Sequence, residues 1–113
     1  MSNLNFKNVQ TIIAPDVEIL GDIKMNGGII IYGSIKGDVI TDGPIRVAKN
    51  GKVVGHLRGG DILVGGAVTG DIESSGQVFL GKNCRLDGNI QYFKLHIEDG
   101  AVFTGRCDLT NLK

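Results

Sequence analysis

Tryptophan is absent from this chain, and four phenylalanines and two tyrosines make up the whole aromatic class. Tyr32, Phe79, Tyr92 and Phe93 read as outward or corner residues, but they are too scattered to form a sugar-stacking platform. Charge of one sign is also lacking: twelve basic and twelve acidic residues leave a formal net charge of zero. The basic stripe of a nucleic-acid binder is therefore missing. No apolar run approaches the roughly 18 residues of a helical membrane span. No signal peptide is legible before the patterned region, so a cytoplasmic location is expected. The two cysteines, Cys84 and Cys107, have no histidine beside them. They make a poor zinc site and read as structural thiols in a reducing compartment.

Catalytic patterns are equally thin. Gly65 to Gly70 is not followed by Gly-Lys-Ser/Thr, and no helix is expected after it, so it is not a phosphate loop. His56 and His96 are the only histidines. No nucleophile has a plausible base. No cofactor, metal or enzymatic activity is expected.

Glycine, by contrast, is abundant. The chain holds eighteen, against a usual share of about 7%. Six of them centre a repeat of apolar, any residue, Gly, any residue, apolar, in the stretches Ile19–Ile23, Ile35–Val39, Val53–Leu57, Val68–Ile72, Leu86–Ile90 and Phe103–Cys107. The glycines Gly21, Gly37, Gly55, Gly70, Gly88 and Gly105 are spaced by 16, 18, 15, 18 and 17 residues. A second ladder runs between them: Ile29–Ile31, Ile45–Val47, Ile62–Val64, Val78–Leu80 and Leu95–Ile97. Two ladders in phase signal an array of stacked units.

Within each rung apolar residues alternate, as in Ile45-Arg46-Val47, which is the period of a half-buried strand. Turn compositions such as Asn26-Gly27-Gly28 and Asp42-Gly43-Pro44 separate the rungs. Hairpins would give no reason for the ladders to keep phase. A coil of about 17 residues does: three short strands joined at three corners, each coil stacked on the last at roughly 4.8 Å. The chain is thus expected to be all-β, a three-sided parallel β-helix (solenoid) of about six coils. Its core columns are Ile29, Ile45, Ile62, Val78 and Leu95; Ile31, Val47, Val64, Leu80 and Ile97; and Ile23, Val39, Leu57, Ile72, Ile90 and Cys107. Residues 1–14 read as a short, mostly disordered N-terminal tail, with Ile12 and Ile13 starting a partial coil. Residues 15–109 form the β-helix, and 110–113 a C-terminal tail.

Corners align as well. Ala48–Val53 matches Gly81–Leu86 and Glu98–Phe103, which puts Gly51, Cys84 and Ala101 in one slot for small side chains. Asn50, Asn83 and Gly100 share the neighbouring slot, where a left-handed corner residue is expected. After each repeat glycine comes Asp22, Asp38, His56, Asp71, Asn89 or Arg106. His56 breaks the acidic series, so this reads as a solvated outer column rather than a calcium site or a catalytic carboxylate cluster.

The closing stretch Leu95-His96-Ile97-Glu98-Asp99-Gly100-Ala101-Val102-Phe103-Thr104-Gly105-Arg106-Cys107 resembles the last coil of the bactofilins, the bacterial β-helical cytoskeletal family. The Gly-Asp-Ile and Gly-Asn-Ile steps and the opening Thr11-Ile12-Ile13-Ala14-Pro15 are similar too. The resemblance implies a right-handed β-helix that assembles, without nucleotide, into non-polar filaments through its two ends. Such filaments scaffold cell shape, cell-wall synthesis or protein positioning. Self-association and cell-wall or membrane-associated clients follow as expectations from it. The N-terminal tail, with Leu4, Phe6 and the single basic residue Lys7, reads as an ordinary tail, with membrane contact as the alternative. The end residues expected to meet a neighbour are Phe103, Leu95, Ile97 and Leu109 at one end and Val17, Ile19 and Ile23 at the other. The alternative reading is a sugar-binding or sugar-modifying, acyltransferase-like β-helix.

Overall fold

The computed structural model describes residues 9–109, and these fold into three six-stranded parallel sheets. The first sheet holds strands Val9–Ile13, Gly28–Ile31, Ile45–Val47, Ile62–Val64, Gln77–Leu80 and Lys94–Ile97. The second holds Glu18–Leu20, Ser34–Lys36, Lys52–Val54, Ala67–Thr69, Arg85–Asp87 and Val102–Thr104. The third holds Ile23–Met25, Val39–Thr41, Leu57–Gly59, Ile72–Ser74, Ile90–Tyr92 and Cys107–Leu109. The chain visits the sheets in turn, so each circuit is one coil of a three-sided β-solenoid. This is the architecture that the two ladders predict.

Register stacks like on like. Ile29, Ile45, Ile62, Val78 and Leu95 are successive partners in the first sheet. Ile31, Val47, Val64, Leu80 and Ile97 form the column beside them. Val39, Leu57, Ile72 and Ile90 follow one another in the third sheet. All of these are buried except Leu95 and Ile97, which belong to the last coil. Removing each aliphatic side chain from water contributes about 1.5–3 kcal/mol.

A further inward column lies in the second sheet, formed by Ile19, Ile35, Val53, Val68, Leu86 and Phe103. Ile35, Val53, Val68 and Leu86 are buried and complete the core, which also takes in Cys84. They open the repeated motif, yet their Lys, Thr and Asp neighbours make them look like turn residues rather than core. Tyr92, expected at an outward or corner position, packs against the core from the end of its strand.

Corner length explains the uneven repeat. Between the first and second sheets the chain uses four residues at 14–17, 48–51, 81–84 and 98–101, but two at 32–33 and 65–66. The four-residue corners close with a turn hydrogen bond, as from Gly51 N–H to Ala48 O and from Cys84 N–H to Gly81 O. The extra two residues turn a 16-residue spacing into 18. A corner one residue tighter between the third and first sheets gives 15 and 17.

Two sequence expectations need correction. Residues 9–14 are not tail: Val9–Ile13 is the first strand, paired in parallel with Gly28–Ile31. Ile13 is buried at the head of the Ile31 column, so its burial ties the segment down. The tail readings of residues 1–8 and 110–113 lie outside the described residues. Asn50 and Asn83 are not left-handed either, because no described residue other than glycine has positive φ. They occupy ordinary turn positions that most residues adopt, and only Gly100 in that slot is left-handed, at φ +101°.

Candidate assembly surfaces

A solenoid's interior coils satisfy their backbone through neighbours on both sides, and its first and last coils cannot. In the interior, Gly70 N–H donates to Asp87 O, and Ile72 N–H to Asn89 O, each one coil ahead. Gly88 N–H and Ile90 N–H reach Thr104 O and Arg106 O in the last coil. The matching N–H groups of Gly105 and Cys107 have no further coil ahead of them among the described residues. The same holds in the other direction. Gly21 N–H donates to Lys36 O and Gly37 N–H to Val54 O, so Leu20 O is the equivalent acceptor at the N-terminal end, with no coil before it among the described residues. An edge of this kind is a template for pairing with another chain.

The apolar columns run out at the same two faces. At the C-terminal end Leu95, Phe103 and Cys107 are half-buried against the core, while Ile97 is 43% and Leu109 65% exposed. Leu109 pairs with Tyr92 and Phe103 with Leu86, so both stand at the ends of inward columns. At the N-terminal end Ile19 and Ile23 are half-buried and Val17 is exposed at its corner. The structure thus divides the seven end residues into two patches, one on each terminal coil. Met25 also belongs to the first patch and Ala101 to the second.

Each repeat glycine has φ between +138° and +153°, where a Cβ is strained. At Gly37, Gly55, Gly70, Gly88 and Gly105 an added Cβ would run into the carbonyl of the preceding repeat glycine. At Gly21, on the first coil, none of the described residues stands within 4 Å. That opening is the terminal surface seen at one residue.

The column after the glycines is exposed apart from the half-buried Asp38, but it is more than a solvated surface. Asp38 N–H donates to Asp22 Oδ1 (2.9 Å), His56 N–H to Asp38 Oδ1 (3.0 Å) and Asp71 N–H to His56 Nδ1 (3.1 Å). Asn89 N–H then donates to Asp71 Oδ1 (3.0 Å) and Arg106 N–H to Asn89 Oδ1 (3.2 Å). Each side chain accepts the corner N–H of the next coil, so the position selects an acceptor rather than a charge. Arg106, which has no acceptor atom, ends the series. Composition carries the signal: every member before the last bears a side-chain acceptor.

Chemistry beyond this is sparse. Cys84 is buried in the small-residue slot, and burial pushes its thiol up to about 11. Burial, with Asp108 nearby, also raises Cys107, and neither cysteine is in a disulfide. A shallow groove on the third sheet is lined by Thr41, Asp42, Arg58, Glu73 and Gln91, without an aromatic ring. Among the described residues no cluster of three or more His, Cys, Asp or Glu could hold a metal, and no helix is long and apolar enough to cross a membrane.

Comparison with known proteins gives a consistent picture. Residues 11–108 match the family model described as bactofilin, polymer-forming cytoskeletal. The Thermus thermophilus bactofilin, solved by cryo-EM as double helical filaments, is 31% identical with a TM-score of 0.85, over 89% of this chain and all of that one. The cytoskeletal bactofilin BacA, solved by solid-state NMR, is 32% identical with a TM-score of 0.73, over 89% of this chain and 96% of that one. No curated protein matches the chain.

Proposed function

The chain belongs to the bactofilin family of polymer-forming cytoskeletal proteins, and from that premise we propose that it builds filaments by stacking its two solenoid ends. Its role is structural, and the sugar-modifying alternative is not favoured. The observation that carries the reading is the coincidence, on both terminal coils, of strand edges left unpaired by the described residues with apolar columns that run out there. At one end these are Val17, Ile19 and Ile23, and at the other Leu95, Ile97, Phe103 and Leu109. Two such faces joined in series bury the columns and pair the edges.

Assembly needs no nucleotide, because the binding energy comes from strand edges and aliphatic side chains. The hydrogen-bond ladder favours a non-polar arrangement. Stacked head to tail in register, Asp22 N–H of the next subunit would face Arg106, which cannot accept. Stacking like end on like makes no such demand. The filament works in the cytoplasm as a scaffold without catalysis, and cell-wall or membrane-associated proteins are the clients that suit it.

Phe103→Arg tests the end contact. A charged side chain at the mouth of the last coil can reach water in the monomer but not within a joint. The variant should keep its β circular dichroism and sediment as a small species, whereas the parent forms filaments by electron microscopy with chelator and without nucleotide. Folded Phe103→Arg filaments of normal length would sink the end-contact reading.

A further inference from the structure

Between the first and second sheets, the corners of the third and fifth coils are alike. Ala48-Lys49-Asn50-Gly51 leads into Lys52, and Gly81-Lys82-Asn83-Cys84 into Arg85, so each corner sets two cations in the same slots. Lys49, Lys52, Lys82 and Arg85 are exposed. None of the four is in an ion pair among the described residues, although Arg85 shares its strand with Asp87. The fourth coil, between them, turns in only two residues, Gly65 and Gly66, and continues with Ala67. Ala67 is the strand partner of both Lys52 and Arg85. Gly66 is tucked against the third coil, where an added Cβ would run into the carbonyls of Ala48 and Gly51. The short corner is therefore recessed between two longer ones. The flanking cations stand on coils about 10 Å apart, at twice the strand spacing, and the floor bears nothing larger than a methyl group. At the other short corner, 32–33, Tyr32 holds the slot of Gly65, and the corner before it carries Asp16.

The last coil shows what this recess lacks. Val64, Leu80 and Ile97 are successive partners, so Gly65, Gly81 and Glu98 follow them in one slot. From that slot Glu98 Oε1 accepts Lys82 N–H at 3.1 Å. Two coils earlier, the slot beside Lys49 N–H is Gly65, and an added Cβ there would lie 3.7 Å from the Lys49 nitrogen. Lys49 N–H has no acceptor among the described residues.

We propose that the recess over Gly65 and Gly66 takes an extended acidic segment of a partner protein. One carboxylate of the segment accepts Lys49 N–H, as Glu98 does for Lys82, and its neighbours meet the four cations. Bonds of this kind are charge-assisted and stronger than neutral ones. The slot is one coil wide, which suits a single extended chain. A flat lipid surface would rest on the two projecting corners and leave the floor empty. Neither the floor nor its flanking corners carry an aromatic ring on which a base could stack. The other two corners repel such a segment, with Asp38 and Asp71 on one and Asp42 and Asp61 on the other. The site is complete within one subunit, so it holds however the ends stack.

Fluorescence anisotropy with a short labelled peptide of alternating glutamate and serine tests this on the full chain. The parent should bind it, less tightly as salt rises, and should ignore a lysine and serine peptide. Gly65→Glu gives Lys49 N–H a carboxylate of its own and should weaken binding about tenfold or more. Gly65→Ala, which adds only a methyl, should keep most of it. Lys52→Ser/Arg85→Ser should also lose about tenfold, whereas Arg58→Ser, on the third sheet, should match the parent. Circular dichroism checks that each variant is folded. Absence of binding in the parent, or equal affinity in the parent, Gly65→Glu and Lys52→Ser/Arg85→Ser, would overturn the proposal. Phosphatidylglycerol vesicles that bind in place of the peptide would also overturn it, by making a membrane the partner. So would filaments that separate from one another in Gly65→Glu while the peptide binds neither form, because the occupant would then be a second copy.

Discussion

Alanine at Gly70 and alanine at Gly21 make the same chemical change in the same backbone conformation, one coil having a neighbour on the affected side and the other not. Gly70 has φ +141° and Gly21 φ +138°. The left-handed strain of a Cβ should cost each about 1–2 kcal/mol. At Gly70 the methyl also drives into the Gly55 carbonyl, with Gly55 C at 2.6 Å and Cα at 3.3 Å. Backbone has no rotamer with which to yield, so the coils must part locally. Overpacking of this kind adds about 1–3 kcal/mol. Gly70→Ala should then lose about 2–5 kcal/mol, a large share of the roughly 5–15 kcal/mol that a domain possesses, and Gly21→Ala only about 1–2. Denaturant unfolding followed by circular dichroism, in the Phe103→Arg background so that polymerisation does not contribute, measures both. Equal losses would refute the argument that the adjacent coil's carbonyl enforces the glycine. Because the space over Gly21 lies in the proposed end contact, Gly21→Ala should also shorten filaments despite its mild effect on folding.

Ile62 is fully buried between Ile45 and Val78, and Ile62→Asp should leave no folded protein, since a carboxylate there has no partner or water; a soluble variant with unchanged melting would remove that column from the core. Asp71→Ala should cost about 0.5–1.5 kcal/mol by orphaning the Asn89 N–H, whereas Asp71→Asn keeps an acceptor and should be close to neutral; equal losses in thermal unfolding would mean that charge, not acceptance, is what the corner needs. The folded Cys84 thiol titrates at about 11 rather than 9.0. Raised in the folded state, it contributes stability that is complete below pH 9 and falls away as pH rises from 9 to 11. Cys84→Ala should flatten that part of the stability profile, and an unchanged slope would assign the loss to other groups.

Much of this fold is legible in the sequence because its period is set by geometry. Each coil must return to the same face, so Ile45, Ile62 and Val78 recur wherever the chain does. The second-sheet column is harder to see. Val53 and Val68 are the single inward residues of strands that run out-in-out, between Lys52 and Val54 and between Ala67 and Thr69, so no pair of apolar residues marks the alternation as in Ile45-Arg46-Val47, which runs in-out-in. The first strand fails for a related reason: Ile12 faces outward and is exposed while Ile13 faces inward and is buried, and two adjacent isoleucines show no alternation. Asn50 and Asn83 mislead because asparagine tolerates left-handed φ but does not require it.

The acceptor ladder shows a limit of a different kind. Asp22, Asp38, His56, Asp71 and Asn89 share no charge, size or pKa class. They share one atom type, an acceptor aimed at the next coil's corner N–H. A column selected for one atom looks random when read by charge, and hence like solvated surface. Only the stacking of coils places each acceptor beside its donor. The same logic gives the departure at Arg106 its meaning. In an interior coil an arginine would strand the following N–H. In the last coil there is no following N–H to strand, unless another subunit supplies one in the same register. The residue that costs nothing to the monomer therefore discriminates between the two ways in which a second copy can approach that end.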